Sequence, residues 1–177
     1  TKAIMLVHYA GMVCDMDEFN KISKEFNIPI IEDAAHALGS KYNGKVIGSN
    51  SPYTIFSLQA IKHMTTVDGG ILALKSEEDM HKGRLLRWFG LDKKKPRLEN
   101  DITIPGYKYH MNNVNATVGL VQLRHIEKIV GEYINNGKFF DENLKNTPGV
   151  ELLEYNPNTE ASYWLYTMKV DRRDDFI

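Results

Sequence analysis

Two segments carry residue types that do chemistry together. Ile28-Pro29-Ile30-Ile31-Glu32-Asp33-Ala34-Ala35-His36 is an apolar run ending in a carboxylate, and Ser57-Leu58-Gln59-Ala60-Ile61-Lys62-His63 places a hydroxyl five residues before a lysine. Pyridoxal phosphate asks a protein for three groups: a lysine to form an imine, a carboxylate to keep the ring nitrogen protonated, and hydroxyls and amides to grip the phosphate. Lys62, Asp33 and Ser57 supply one of each kind.

Such residues act together only if the fold brings them to one place. Ala3 to His8 is an apolar run of strand length, broken by Tyr9-Ala10-Gly11. Asp15 and Glu18 have capping-box spacing, and Met16, Phe19, Ile22 and Phe26 recur at near-helical intervals, which predicts a helix over 16–26. Ile28 to Glu32 reads as the next strand. Strand, amphipathic helix and strand within this length make a βαβ unit, with parallel strands and a right-handed crossover. Asp33 then stands at a strand's carboxyl end, where open α/β sheets place their ligands.

Further along, Asn43-Gly44 between Ser40-Lys41-Tyr42 and Lys45-Val46-Ile47 predicts a small hairpin. The same stretch imitates a phosphate loop, since Gly39, Gly44 and Lys45 match its spacing. Val46 stands where a magnesium-binding hydroxyl is needed and no helical pattern follows, so the hairpin is the better reading. Tyr53–Leu58 and Ile71–Leu74 read as strands, Asp68-Gly69-Gly70 as the turn feeding the second, and Glu77–Phe89 as a helix. Lys93-Lys94-Lys95-Pro96-Arg97 reads as a solvated loop. A long helical pattern begins near Asn112, with Ala116, Leu120, Leu123, Ile126 and Val130 on one stripe, and a second helix runs from about Glu132 to Leu144. After Thr147-Pro148-Gly149 the pattern changes to short strands. The expected organisation is a large α/β part over 1–130, with a mostly parallel sheet, and the start of a smaller α+β domain over 131–177.

Composition bounds the rest. With 177 residues, 42% hydrophobic, 25% charged and a formal net charge of -1, the chain is an ordinary globular sequence with one sizeable core and no electrostatic invitation to nucleic acid. No apolar run approaches the roughly 20 residues of a membrane span, and no signal segment opens the chain, which points to the cytoplasm. The single cysteine, Cys14, has no metal-ligand neighbours and reads as a packing residue; His8 near a strand end reads as structural. No Gly-x-Gly-x-x-Gly occurs, which disfavours a dehydrogenase-type dinucleotide binder.

Five motifs in order complete the reading: Val7-His8 with Gly11 and Asp15-Met16; Glu32-Asp33-Ala34-Ala35-His36; Phe56-Ser57 through Lys62; Asp68-Gly69-Gly70; and Gly106-Tyr107 through Asn115-Ala116 and Gln122-Leu123. Together they resemble the DegT/StrS family of nucleotide-sugar aminotransferases over nearly the whole chain. The resemblance implies a fold type I aminotransferase that works as a homodimer with shared active sites. It implies that Asp33 pairs with the pyridine nitrogen, that His36 lies by the ring's phenolic oxygen, that Ser57 binds phosphate and that Lys62 forms the imine. Lys108, in Gly106-Tyr107-Lys108-Tyr109 where the family often has Asn, would reach the phosphate of the partner subunit's cofactor.

The implied reaction moves an amino group from a donor such as glutamate to a keto-deoxysugar linked to a nucleotide, in amino-sugar biosynthesis for a surface polysaccharide or a related product. Lys62 would serve as nucleophile and as base. Relatives that remove a sugar hydroxyl carry histidine in place of that lysine, so transamination is favoured over dehydration. A noncatalytic binding or regulatory module that keeps the same core is the alternative, against which Lys62 and Asp33 both argue. The chain starts at Thr1, and the family's N-terminal phosphate loop and stacking aromatic do not occur in it, so a fragment is expected. Trp88 and the 93–97 loop are candidate substrate neighbours.

Overall fold

The computed structural model describes residues 1–176. Its first half is the expected βαβ unit. Strand β1 (Ile4–Val7) leads through a tight turn at Tyr9–Gly11 to helix α1 (Met16–Phe26), and β2 (Ile30–Asp33) returns parallel to β1. The Asp15 carboxylate accepts the Glu18 amide at 3.3 Å and so caps α1. Asn27 ends the helix in a left-handed conformation, φ 50°. This ending moves β2 two residues later than the sequence suggested, because the Ile28 amide is spent on Ser23 and Pro29 has none to offer. Asp33 is consequently the last residue of the strand.

The β3 (Lys41–Tyr42) and β4 (Lys45–Val46) hairpin turns on Asn43 and Gly44, both at positive φ. β5 (Tyr53–Ser57) then joins β2 in parallel, and β6 (Gly70–Leu74) closes the sheet antiparallel, giving the order β1-β2-β5-β6. Strand alternation divides the residues between the two faces. Leu6, Ile30 and Phe56 join Met16 and Tyr42 in the core, whereas Met5, Val7 and Leu72 on the other face are 58%, 50% and 52% exposed. Asp33, registered with Val7 and Ile55, belongs to the open face.

Helix α2 (Glu77–Leu86) stops three residues short of the expected Phe89. The backbone from Leu86 to Phe89 pairs instead with Tyr107 and Tyr109, and Phe89 turns to φ 52°. The next helical stripe is two helices, α3 (Asn113–Leu123) and α4 (Ile126–Leu144). The break falls at Arg124–His125, not near residue 131. No proline or glycine marks it, and Gly131 lies inside α4. The remaining strands are β7 (Val150–Leu152), β8 (Thr159–Glu160) and β9 (Met168–Val170); β8 adds to β3 of the hairpin and β7 pairs with β9. Among the described residues no helix is long and apolar enough to cross a membrane, and no cluster is suited to a metal ion.

Candidate active site

Asp33 and Ser57 end adjacent parallel strands on the same face, so their side chains point past the carboxyl edge of the sheet. One Asp33 oxygen accepts the Ala35 amide at 3.0 Å, which fixes the carboxylate and leaves its second oxygen open. Lys62 arrives on the loop between β5 and β6. That loop is closed by its own backbone: the Leu58 amide bonds Gly69, the Thr66 amide bonds Leu58 and the Lys62 amide bonds Gln59, all within 3.0 Å. Burial holds the Lys62 ammonium below the ordinary lysine range, and the Asp33 carboxylate opposes that shift. Lys62 forms no ion pair among the described residues.

His36 comes from the turn after β2. Its Nδ1 accepts the Ala10 amide at 3.3 Å, which places the ring proton on Nε2. Burial first, and then the Lys62 charge, lower its affinity for a second proton, while Asp33 pulls the other way. The neutral ring therefore offers one N–H donor to whatever lies beside it. Asp33, His36 and Lys62 thus converge from two segments, the end of β2 with the turn that follows it and the loop between β5 and β6. Ser57 stands at the edge of the same face, its Oγ accepting the Gln59 amide at 3.3 Å with its own hydrogen free to donate. An amine without an ion-pair partner, a carboxylate with one open oxygen, an imidazole N–H and a hydroxyl are donors that suit pyridoxal phosphate.

Two buried histidines lie beside the site. His8 Nδ1 accepts the Cys14 amide at 3.2 Å, so Nε2–H donates to Glu32 at 2.9 Å; both side chains are buried, Glu32 next to Asp33 and His8 next to its register partner Val7. His63 donates from Nε2 to the Ser162 carbonyl at 3.0 Å, and burial lowers its pKa.

Lys108 shares no hydrogen bond with this group. It is exposed on a loop whose backbone bridges Trp88. Trp88 is likewise occupied elsewhere, with the Lys93 ammonium 4.0 Å from its ring centre and His110 against its edge. A cavity of about 240 Å³ opens between α1 and the hairpin, lined by Asp17, Glu32, Tyr42 and Lys45, and none of the converging residues faces it. The residue that the sequence reading missed is Trp164. Its ring stacks on His36 at 3.9 Å, lies 3.6 Å from the Lys62 ammonium and donates Nε1–H to the Ile61 carbonyl at 2.9 Å. The signal available was the aromatic run Tyr163-Trp164-Leu165-Tyr166, which nothing in chain order ties to residue 62.

A parallel-rich sheet with a lysine and a carboxylate beyond its strand ends defines the architecture as that of the fold type I aminotransferases. The chain belongs to the DegT/DnrJ/EryC1/StrS aminotransferase family, which it matches over residues 1–177. It is 35% identical over 178 residues to the uncharacterised protein MJ1066 of Methanocaldococcus jannaschii, covering 97% of this chain and 46% of that one. The sugar aminotransferase CalS13 of Micromonospora echinospora superimposes with a TM-score of 0.93 at 28% identity, over 99% of this chain and 50% of that one. Spr1654 of Streptococcus pneumoniae, solved in a PLP form and a PMP form, gives 0.83 at 31% identity for the PLP form, over 97% and 48% of the two chains. The chain spans about half the length of the relatives it matches.

Proposed function

We propose that this chain carries the cofactor-holding core of a pyridoxal-phosphate-dependent aminotransferase. The substrate is a keto-deoxysugar linked to a nucleotide, and an amino acid such as glutamate is the donor. The observation that carries the reading is the convergence of Lys62, Asp33 and His36 beyond the strand ends, with the amine free of any ion pair among the described residues. The solved sugar aminotransferases of the same fold support it.

Lys62 would hold the cofactor and its amine would then take a proton from the donor's α-carbon. Asp33, with one oxygen open, would keep the pyridine nitrogen protonated. His36 would offer its Nε2–H to the ring's phenolic oxygen, and Ser57 its hydroxyl to the phosphate. When bound, pyridoxal phosphate supplies the electron sink for the charge left at the donor's α-carbon. Lysine at position 62 favours amino transfer over dehydration. Lys108 serves the phosphate site of a partner subunit in a cytoplasmic homodimer, and the product enters surface-polysaccharide or related amino-sugar synthesis. The division into 1–130 and 131–177 belongs to the same reading.

The test is the visible spectrum of the purified chain with added pyridoxal phosphate. A protein-bound absorption band that glutamate removes and that Lys62→Ala lacks supports the reading. A band retained by Lys62→Ala refutes it.

A further inference from the structure

We propose that Trp164 is a positioning residue of this site, holding the Lys62 side chain and the His36 ring in the arrangement that receives the cofactor. What Lys62 and His36 do there rests on the function proposed above; the grip of Trp164 on them does not.

Trp164 is delivered by a segment fixed on every side. The Ser162 amide reaches the Gly11 carbonyl at 3.3 Å and the Ser40 hydroxyl at 3.1 Å, and the Leu165 amide reaches the Ala10 carbonyl at 3.4 Å. The Tyr163 and Tyr166 hydroxyls both donate to Asp141 of α4 at 2.8 Å. A side chain on Gly11, at φ 95°, would meet the Tyr163 amide at 2.7 Å, so the two backbones approach only because that residue is glycine. Tyr163 itself is held at φ 49°, a conformation that tyrosine keeps only where its surroundings impose it. The effect of this turn is to aim the next side chain at the lysine loop.

A tryptophan returned to the body of a protein most often fills the core. Trp164 is absent from the core cluster, and its polar and aromatic contacts all go to the site. The indole N–H is spent on the carbonyl next to Lys62, the ring takes the Lys62 ammonium, and the same ring carries His36. A π face differs from a carboxylate as a partner for this amine. It orders the ammonium with a weak attraction and adds no negative charge, so the amine is still free to lose its proton and react. Asp33, His36 and His63 are the other titratable groups that act on it.

The test compares Trp164→Leu and Trp164→Phe with the parent chain. The first readout needs no cofactor: the pH midpoint at which Lys62 is acylated by a small reagent, followed by mass spectrometry of its peptide. Trp164→Leu keeps apolar cover but loses the π face, so its midpoint falls and the free-amine fraction at fixed pH rises roughly two- to fivefold. Trp164→Phe keeps the midpoint near the parent's, and it decides the matter if the Leu protein does not fold. The second readout is the dissociation constant for pyridoxal phosphate, which both variants weaken. In a Trp88→Phe background the remaining tryptophan emission is quenched on loading. An unmoved midpoint in Trp164→Leu, or a midpoint in Trp164→Phe displaced to that of the unfolded chain, overturns the proposal even where the Lys62-dependent band persists. A shifted midpoint with no Lys62-dependent band leaves Trp164 as the keeper of Lys62 and refutes the function instead.

Discussion

Gly137→Ala tests the packing that brings the C-terminal segment to the site, and it does so through the sign of its effect. Gly137 lies inside α4, where alanine ordinarily stabilises a helix by about 1 kcal/mol over glycine. Here the added Cβ would sit 2.3 Å from the Tyr163 ring, whereas ordinary contact begins at 3.4 Å. The ring has to retreat by roughly 1 Å, and forcing a methyl into such a contact costs about 1–3 kcal/mol. Retreat also draws the Tyr163 hydroxyl away from Asp141, a 2.8 Å hydrogen bond whose net contribution is about 1 kcal/mol. Against the helical gain, the sum is a loss of about 1–3 kcal/mol. Urea unfolding of the parent and variant chains measures it directly, and Trp164 emission reports whether the segment has shifted. A variant as stable as the parent, or more so, would show that Tyr163 does not pack on α4 and would remove the basis for the delivery of Trp164.

Three further outcomes follow from the same geometry. Ser40→Ala loses stability by roughly 1 kcal/mol in denaturant titration, because its buried hydroxyl donates to Gly11 at 2.7 Å and accepts the Ser162 amide at 3.1 Å, and those two groups would keep only their mutual 3.3 Å bond; a neutral effect would contradict that buried bridge. Below about pH 6.5 the unfolded chain binds a proton at His63 that the native chain, with its lowered pKa, takes only at lower pH, so stability falls as pH falls, by up to about 1.4 kcal/mol per unit. Thermal unfolding from pH 7 to 5 measures this slope, and His63→Gln, which still offers an N–H to Ser162, should flatten it; an unchanged slope in the variant would sink the assignment. On the proposed function, Asp33→Asn slows the glutamate-driven loss of the cofactor band by roughly two orders of magnitude or more, since asparagine cannot hold the ring nitrogen cationic. Stopped-flow absorbance decides it, and an unimpaired rate would take Asp33 out of that role.

What the sequence made legible was local. The cap at Asp15, the Asn43-Gly44 turn, the strand ending at Asp33 and the loop from Ser57 to Lys62 each follow from neighbours a few residues apart, and each stands within two residues of its expected place. Where expectation and structure part, a distant partner decides. α2 stops early because residues 107–109 take its last backbone groups, and α3 breaks at Arg124–His125 with no helix breaker in the sequence to announce it.

Trp164 is the case that matters for the site, since its indole bonds Ile61 across 103 residues of chain. Nothing about its own position suggests chemistry. Its place depends on Gly11 and Gly137 leaving room for Tyr163, and on Asp141 and Ser40 fixing the turn from opposite sides. The residues that can react were therefore readable from their turns, whereas the residue that holds two of them became visible only once the chain had folded back. The same division explains why Lys62 is ordered although no carboxylate among the described residues pairs with it. Its own loop sets the backbone, and a segment from the far end of the chain sets the side chain. Disturbing Gly137 or Ser40 should therefore move the Lys62 midpoint in the same direction as Trp164→Leu, at positions that touch no reacting group.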